Sequence, residues 1–158
     1  MNIIFLDIDG VLNTERWENL CLAGYASIED EYGITFDDNS IARLQRIINT
    51  TGALIVIHST WKLLHGVEWF EKMWRDRNLP GKIADITPNV PPYYYKQDEI
   101  ANWLKQHPEV ENYVILDDEL EFQDQLSEHH VLIDGNHGIT EEDARMAIHI
   151  LSNRRLVL

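Results

Sequence analysis

Short apolar runs alternate along this chain with stretches in which apolar residues recur every three or four positions. Asn2 to Leu6 is an apolar run of strand length, and such a run reads as a strand buried on both faces. Ala53-Leu54-Ile55-Val56-Ile57-His58 is a second strand of this kind, and Lys82 to Ile86 a weak third. Tyr113-Val114-Ile115-Leu116 is a fourth and Val131-Leu132-Ile133 a short fifth. Between them lie helical patterns. Ser40 to Thr51 carries Ile41, Leu44, Ile47 and Ile48 at helical spacing, with Asp38 or Asn39 as the cap and Gly52 as the stop. Trp61 to about Arg77 sets Leu64, Val67, Phe70 and Trp74 along one stripe. Lys96 to Gln106 turns Ile100, Trp103 and Leu104 inward and ends before Pro108. Thr140-Glu141-Glu142-Asp143 has the form of a capping box and opens a last helix through Ala144, Ala147, Ile148 and Leu151. Asn13 to Asp38 has weak periodicity and reads as loops with a small excursion, and Thr87 to Tyr95 as a proline-containing loop.

Strands that alternate with helices imply a Rossmann-like, three-layer α/β/α sandwich around a mostly parallel five-stranded sheet. Right-handed crossovers bring the C-terminal ends of parallel strands to one edge, where open α/β sheets bind their ligands. At 158 residues the expectation is a single catalytic domain, residues 1–158, with room for a full core.

Thirteen basic residues against 27 acidic ones leave a net charge of −14. That balance argues against broad, non-specific nucleic-acid binding, which relies on many Lys/Arg–phosphate contacts. It does not exclude gripping one phosphate end. No apolar run approaches membrane-spanning length, and no signal-peptide pattern opens the chain. Cys21 is the single cysteine, so no internal disulfide forms, and a cytoplasmic location is expected.

The chemistry gathers at the expected strand ends. Asp7 and Asp9 follow the first strand, on one side of it if the period of two continues. Two carboxylates this close repel each other unless a cation lies between them or one takes up a proton, so the tip suits a hard cation, Mg²⁺ above all. Ser59 and Thr60 follow the second strand, Lys96 opens a helix, and Asp117-Asp118 follow the fourth strand. Carboxylates for a metal, a hydroxyl donor and a cation are the equipment for holding and moving a phosphoryl group. Ser59 is favoured over Thr60 because it directly follows the apolar run. Lys62 rivals Lys96 as the cation, and the sequence leaves open which of Asp117 and Asp118 contacts the metal. His129, His130 and His137 match no zinc spacing. Trp17 is a candidate for stacking a nucleobase or lining a core edge. Tyr93-Tyr94-Tyr95 reads as a substrate-facing wall or as a packed loop, and Arg154-Arg155 as solvated surface.

These motifs, in this order along nearly the whole chain, resemble the haloacid dehalogenase (HAD) superfamily. More narrowly, Leu6-Asp7-Ile8-Asp9-Gly10-Val11-Leu12-Asn13, Ser59-Thr60-Trp61-Lys62 and Ile115-Leu116-Asp117-Asp118 resemble the HAD phosphatase domain of multidomain RNA repair proteins. That subfamily usually carries Arg after the Trp, where this chain has Lys62. The resemblance implies a phosphomonoester hydrolase. Asp7 would be the nucleophile that forms an aspartyl-phosphate, and Asp9 the acid and then the base. Ser59 would donate to the phosphoryl oxygens and Lys96 would offset their charge. Gly10, Thr60, Trp61 and Lys62 would line the substrate. Mg²⁺ would be held by Asp7, the backbone carbonyl of Asp9, and Asp117 or Asp118. An Asp at position 9 favours phosphatases and mutases over dehalogenases or transport ATPases. The short intervals between motifs leave room for a minimal cap or none. The implied substrate is a phosphorylated RNA or DNA end. A small metabolite or phosphoprotein is the alternative within the same mechanism, a catalytically silent binding module or a signalling receiver domain outside it. The oligomeric state is left open.

Overall fold

A computed structural model describes residues 1–93, 95–119 and 122–153. Five parallel strands form one sheet in the order β5-β4-β1-β6-β7. They are β1 (Asn2–Leu6), β4 (Leu54–Ile57), β5 (Ile83–Ile86), β6 (Asn112–Asp117) and β7 (His130–Leu132). Helices α2 (Asp38–Thr51), α3 (Val67–Asp76) and α5 (Glu141–Ser152) go with the larger apolar cluster. Helix α4 (Lys96–Gln106) covers the other face, where Phe5, Val56, Ile100, Ile115 and Trp103 pack together. The expected α/β/α layering is therefore observed. Among the described residues no helix is long and apolar enough to cross a membrane.

Strand β1 is central and explains its sequence. Ile3, Ile4, Phe5 and Leu6 are fully buried because helices cover both faces of a parallel sheet. The register of β1 fixes which side chains meet at its tip. Leu6 pairs with Ile57 on one side and Leu116 on the other. The ladder continues one step, with the Asp7 amide donating to Leu116 O (3.1 Å) and the His58 amide to Leu6 O (3.2 Å). Asp7, His58 and Asp117 thus emerge level with one another at the sheet's C-terminal edge.

Four local expectations need correction. The interval from Asn13 to Asp38 holds helix α1 (Glu15–Leu22) and a hairpin of β2 (Glu29–Asp30) and β3 (Gly33–Ile34). Helix α1 escapes a periodicity search because Trp17 and Cys21 are its only buried residues. The cap of α2 is Asp37, not Asp38 or Asn39. Its Oδ1 accepts from the amides of Asn39 (2.8 Å) and Ser40, and from Arg16 Nη1 (2.8 Å), while Oδ2 accepts from the Thr14 hydroxyl. That network satisfies a fully buried carboxylate. The helix expected from Trp61 to Arg77 is broken into a 3₁₀ turn, Thr60–Leu63, and α3, because Gly66 is extended (ψ 176°) and caps the second piece. Leu64 is consequently 84% exposed rather than part of the buried stripe. Gly52 (φ 67°) ends α2 and the Thr140–Asp143 box opens α5, both as expected.

Candidate active site

The carboxylates of Asp7, Asp117 and Asp118 each offer an oxygen within 4.8 Å of the other two. Lys96 Nζ stands between two of them, 3.1 Å from Asp7 Oδ2 and 3.0 Å from Asp117 Oδ2. The competition between Lys96 and Lys62 for this cluster is decided by geometry. Lys62 is buried and turned elsewhere: its ammonium lies 2.7 Å from Glu99 Oε2 and donates to Thr87 O, Pro88 O and Asn89 Oδ1. The expected substrate contact of Lys62 is thereby corrected, since every direction of its ammonium is already taken. Glu99 lies three residues after Lys96 on α4, so the Lys62–Glu99 pair fastens the turn that carries Lys96.

Asp117 is fully buried and enclosed. Oδ2 accepts from His58 Nε2 (2.6 Å) and Lys96, and Oδ1 accepts from the Glu119 amide (2.8 Å). Burial opposes its charge, but the His58 hydrogen bond and Lys96 outweigh burial and hold the carboxyl well below its usual range. Sequence motifs alone do not single out His58. Burial pulls its imidazole below the usual range, so it serves Asp117 as a neutral Nε2–H donor. Its Nδ1 is buried and finds no partner among the described residues. The signal that could find it is a polar residue closing an otherwise apolar strand.

Asp118 is more open. Burial first, then the charge of Asp117, pushes its carboxyl upward. It lies against Gly10, whose φ of +79° favours glycine, and a Cβ at Gly10 would stand 2.8 Å from Asp118 Cγ and closer still to Oδ2. Gly10 is the cradle that lets this carboxylate approach. Gly10→Ala is expected to displace Asp118 and weaken Mg²⁺ binding by roughly 10- to 100-fold, the usual effect of disturbing a metal's supporting residues. Calorimetric titration with Mg²⁺ checks it.

Asp7 is nearly buried, with Oδ1 accepting from the Ile8 amide (2.8 Å). Burial, then the Asp117 charge, pushes its carboxyl up to about 8. A cluster of mutually repelling carboxylates, made of hard oxygen donors beside a glycine cradle, fits a divalent cation. This arrangement makes stability depend on pH. Without metal, the folded chain binds a proton at Asp7 that the unfolded chain loses near 3.8, so stability falls as pH rises from there to about 8. Asp117 has the opposite sign: its contribution is present above the unfolded value and is lost on acidification below it. The metal-free protein is expected to be most stable in weak acid. Mg²⁺ should raise the melting temperature more at about pH 8 than at about pH 6, because binding displaces the Asp7 proton. Thermal melts with and without Mg²⁺ measure this.

Asp9 is placed by a turn, not by strand periodicity. The strand ends at Leu6, and the amides of Val11, Leu12 and Asn13 all donate to Ile8 O. Asp9 Oδ1 accepts from Asn13 Nδ2 (2.7 Å) and Trp61 Nε1 (3.0 Å), and neither of these bonds uses Oδ2. Ser59 is fully buried, and its Oγ accepts from the Trp61 amide (3.2 Å), capping the 3₁₀ turn. The cap therefore falls on Ser59, whose hydroxyl keeps its own proton to donate. Thr60 is exposed.

The remaining candidates lie outside this cluster. Trp17 is buried, with Nε1 donating to Thr35 Oγ1 (2.9 Å), so it lines a core edge. Tyr93 and Tyr95 are exposed and stack at 5.7 Å. Tyr94 and Arg154-Arg155 lie outside the described residues. His129 stacks on Tyr113, His130 Nε2 bonds Asp117 O, and His137 Nδ1 contacts Asp134.

The family model for the HAD domain in Swiss Army Knife RNA repair proteins matches residues 3–144. The chain belongs to that HAD family. The match runs from β1 into the first turn of α5 and so includes every residue of the cluster. Membership in this HAD family supports a hydrolase of the phosphatase class. No curated protein and no solved structure matches significantly.

Proposed function

We propose that this HAD domain hydrolyses phosphate monoesters through an aspartyl-phosphate on Asp7. The observation that carries the reading is the clustering of Asp7 with two further carboxylates and the Lys96 ammonium, with Asp9 two residues on, held by Asn13 and Trp61. A carboxylate oxygen of Asp7 attacks phosphorus, and the bond to the leaving oxygen breaks. Asp9 gives that oxygen a proton, then takes one from water as the water attacks phosphorus and frees Asp7. Lys96 and the Ser59 hydroxyl offset charge on the phosphoryl oxygens. Asp7, Asp118, Asp117 and the Asp9 carbonyl would hold Mg²⁺, which supplies the positive charge that lets one anion approach another. His58 and the Glu119 amide keep Asp117 in position.

The preferred substrate is a phosphorylated polynucleotide end, supported by the family's occurrence in RNA repair proteins. A small phosphorylated metabolite is the second reading, favoured by the acidic balance of the chain. The receiver-domain alternative lacks its acceptor: Asp85, at the third strand, accepts from Trp103 Nε1 (2.7 Å) and the Ile86 amide (2.9 Å). The test is release of para-nitrophenol from its phosphate with and without Mg²⁺, and then turnover of phosphorylated oligonucleotides and metabolites. Mg²⁺-dependent turnover is expected. A folded, Mg²⁺-binding protein that turns over no ester would be a silent module, and the proposal would fail.

A further inference from the structure

Asn13 and Trp61, the two partners of Asp9 Oδ1, each line a cleft, and the two clefts differ in charge. One, of about 470 Å³, lies on the Gly10–Asn13 side and is lined by Glu15, Glu18 and Glu29. The other, of about 360 Å³, lies on the Trp61 side, and none of its lining residues is acidic. Tyr32 and Ile34 of the β2–β3 hairpin form one wall, and Trp61, Leu64 and His65 of the 3₁₀ turn and its exit form the other. The walls are aromatic and stiff. Trp61 packs between Phe36 and Trp69, with ring centroids at 6.1 and 6.2 Å, and His65 stacks on Trp69 at 3.6 Å and 7°. Leu64 and Ile34 nevertheless present exposed apolar surface, 84% and 43%. A group leaving from phosphorus must sit beside Asp9, whose Oδ1 is bonded to the indole edge of this second cleft.

Resting on the phosphatase reading, we propose that the Trp61 cleft is the leaving-group subsite and holds the base of the nucleotide whose phosphate Asp7 attacks. Three observations favour that occupant. An anionic ester is repelled by the three glutamates of the other cleft and not by this one. Flat aromatic walls suit a planar ring, because bases stack on aromatic side chains. The volume lies near the lower end of ligand pockets, room for one base rather than a run of stacked bases. Recognition of a single terminal base also accords with a net charge of −14, which does not favour tracking along a phosphate backbone.

The experiment has a binding arm and a kinetic arm. In the first, adenosine is added to the Mg²⁺-loaded protein, and the indole N–H signal of Trp61, assigned by its loss in Trp61→Phe, is followed by NMR. A saturable shift is expected, and Leu64→Asp, a surface substitution that puts a carboxylate in the cleft, should abolish it. An unmoved signal overturns the proposal. In the second arm, kcat/KM for adenosine 5′-monophosphate and for a 5′-phosphorylated oligoadenylate is compared with that for ribose 5-phosphate, which carries its phosphate on the same oxygen but has no base. A preference of about tenfold or more is expected, in line with the stacking of one base, and Leu64→Asp should reduce it. The better of the two nucleotide sources identifies which one the cleft serves. Equal rates with and without the base also overturn the proposal, while leaving the phosphatase reading intact. If no ester is hydrolysed, the phosphatase reading fails, and the adenosine titration still decides whether the cleft takes a base.

Discussion

Asp7→Asn is expected to abolish phosphomonoester hydrolysis, with a fall in kcat of about 10⁴-fold or more, the scale on which removal of a covalent nucleophile acts. The substitution keeps the shape of the side chain and the oxygen that accepts from the Ile8 amide, while its amide nitrogen, a donor, takes the place of Oδ2. It removes the oxygen that would carry the phosphoryl group, which lies 3.1 Å from Lys96 Nζ. The fold should survive. In the metal-free protein the Asp7 carboxyl is already pushed up to about 8 by burial and the Asp117 charge, so a neutral side chain resembles its protonated state. The variant should therefore melt no lower than wild type without Mg²⁺ and gain less from added Mg²⁺. Stopped-time assays give the first result and thermal melts the second. Activity within tenfold of wild type would mean that Asp7 is not the nucleophile.

Glu99→Gln is expected to cause a larger stability loss than Gly10→Ala or Asp7→Asn. Glu99 and Lys62 form an ion pair at 2.7 Å, with 2% and 4% of their side chains exposed. Removing one charge of a buried pair strands the other, a loss of about 3–5 kcal/mol. That is a large part of the roughly 5–15 kcal/mol by which domains are typically stable. For a chain of this size it corresponds to a melting temperature lower by roughly ten degrees. Replacing both residues with apolar ones, Lys62→Met with Glu99→Met, should recover part of the loss, because the stranded charge is gone. The effect should also reach the site. Glu99 anchors the turn from which Lys96 reaches Asp7 and Asp117, so kcat should fall at temperatures where Glu99→Gln remains folded. An unchanged melting temperature would show that the pair contributes little.

The legible and illegible parts of the molecule separate by the range of the interactions that set them. Gly52, the Thr140–Asp143 box and the helix from Lys96 to Gln106 arise from caps and spacings within a few residues, and all are observed. Local signals mislead where one residue outweighs a pattern. Gly66 splits a helix that periodicity alone would make continuous, and Asp37 displaces Asp38 and Asn39 as a cap because Thr14 and Arg16 bind it from elsewhere in the chain. Lys62 reads as a substrate cation in the sequence because it comes directly after Ser59-Thr60-Trp61. Its true partner, Glu99, lies on another helix, and no spacing rule connects them.

The candidate site divides in the same way. By itself the sequence determined the alternation of buried strands and helices, and hence a parallel sheet with its chemistry at one edge, because burial on both faces leaves continuous apolar runs. It also supplied the acidic, hydroxyl and cationic residues at the ends of those runs. Only the tertiary structure decided how they meet. The register of β1 with β4 and β6 sets Asp7, His58 and Asp117 level, the cradle at Gly10 admits Asp118, and Trp61 and Asn13 converge on one oxygen of Asp9. Nearly all of these contacts join residues far apart in the chain. Their geometry is set by the packing of whole elements, and a linear pattern does not encode it residue by residue.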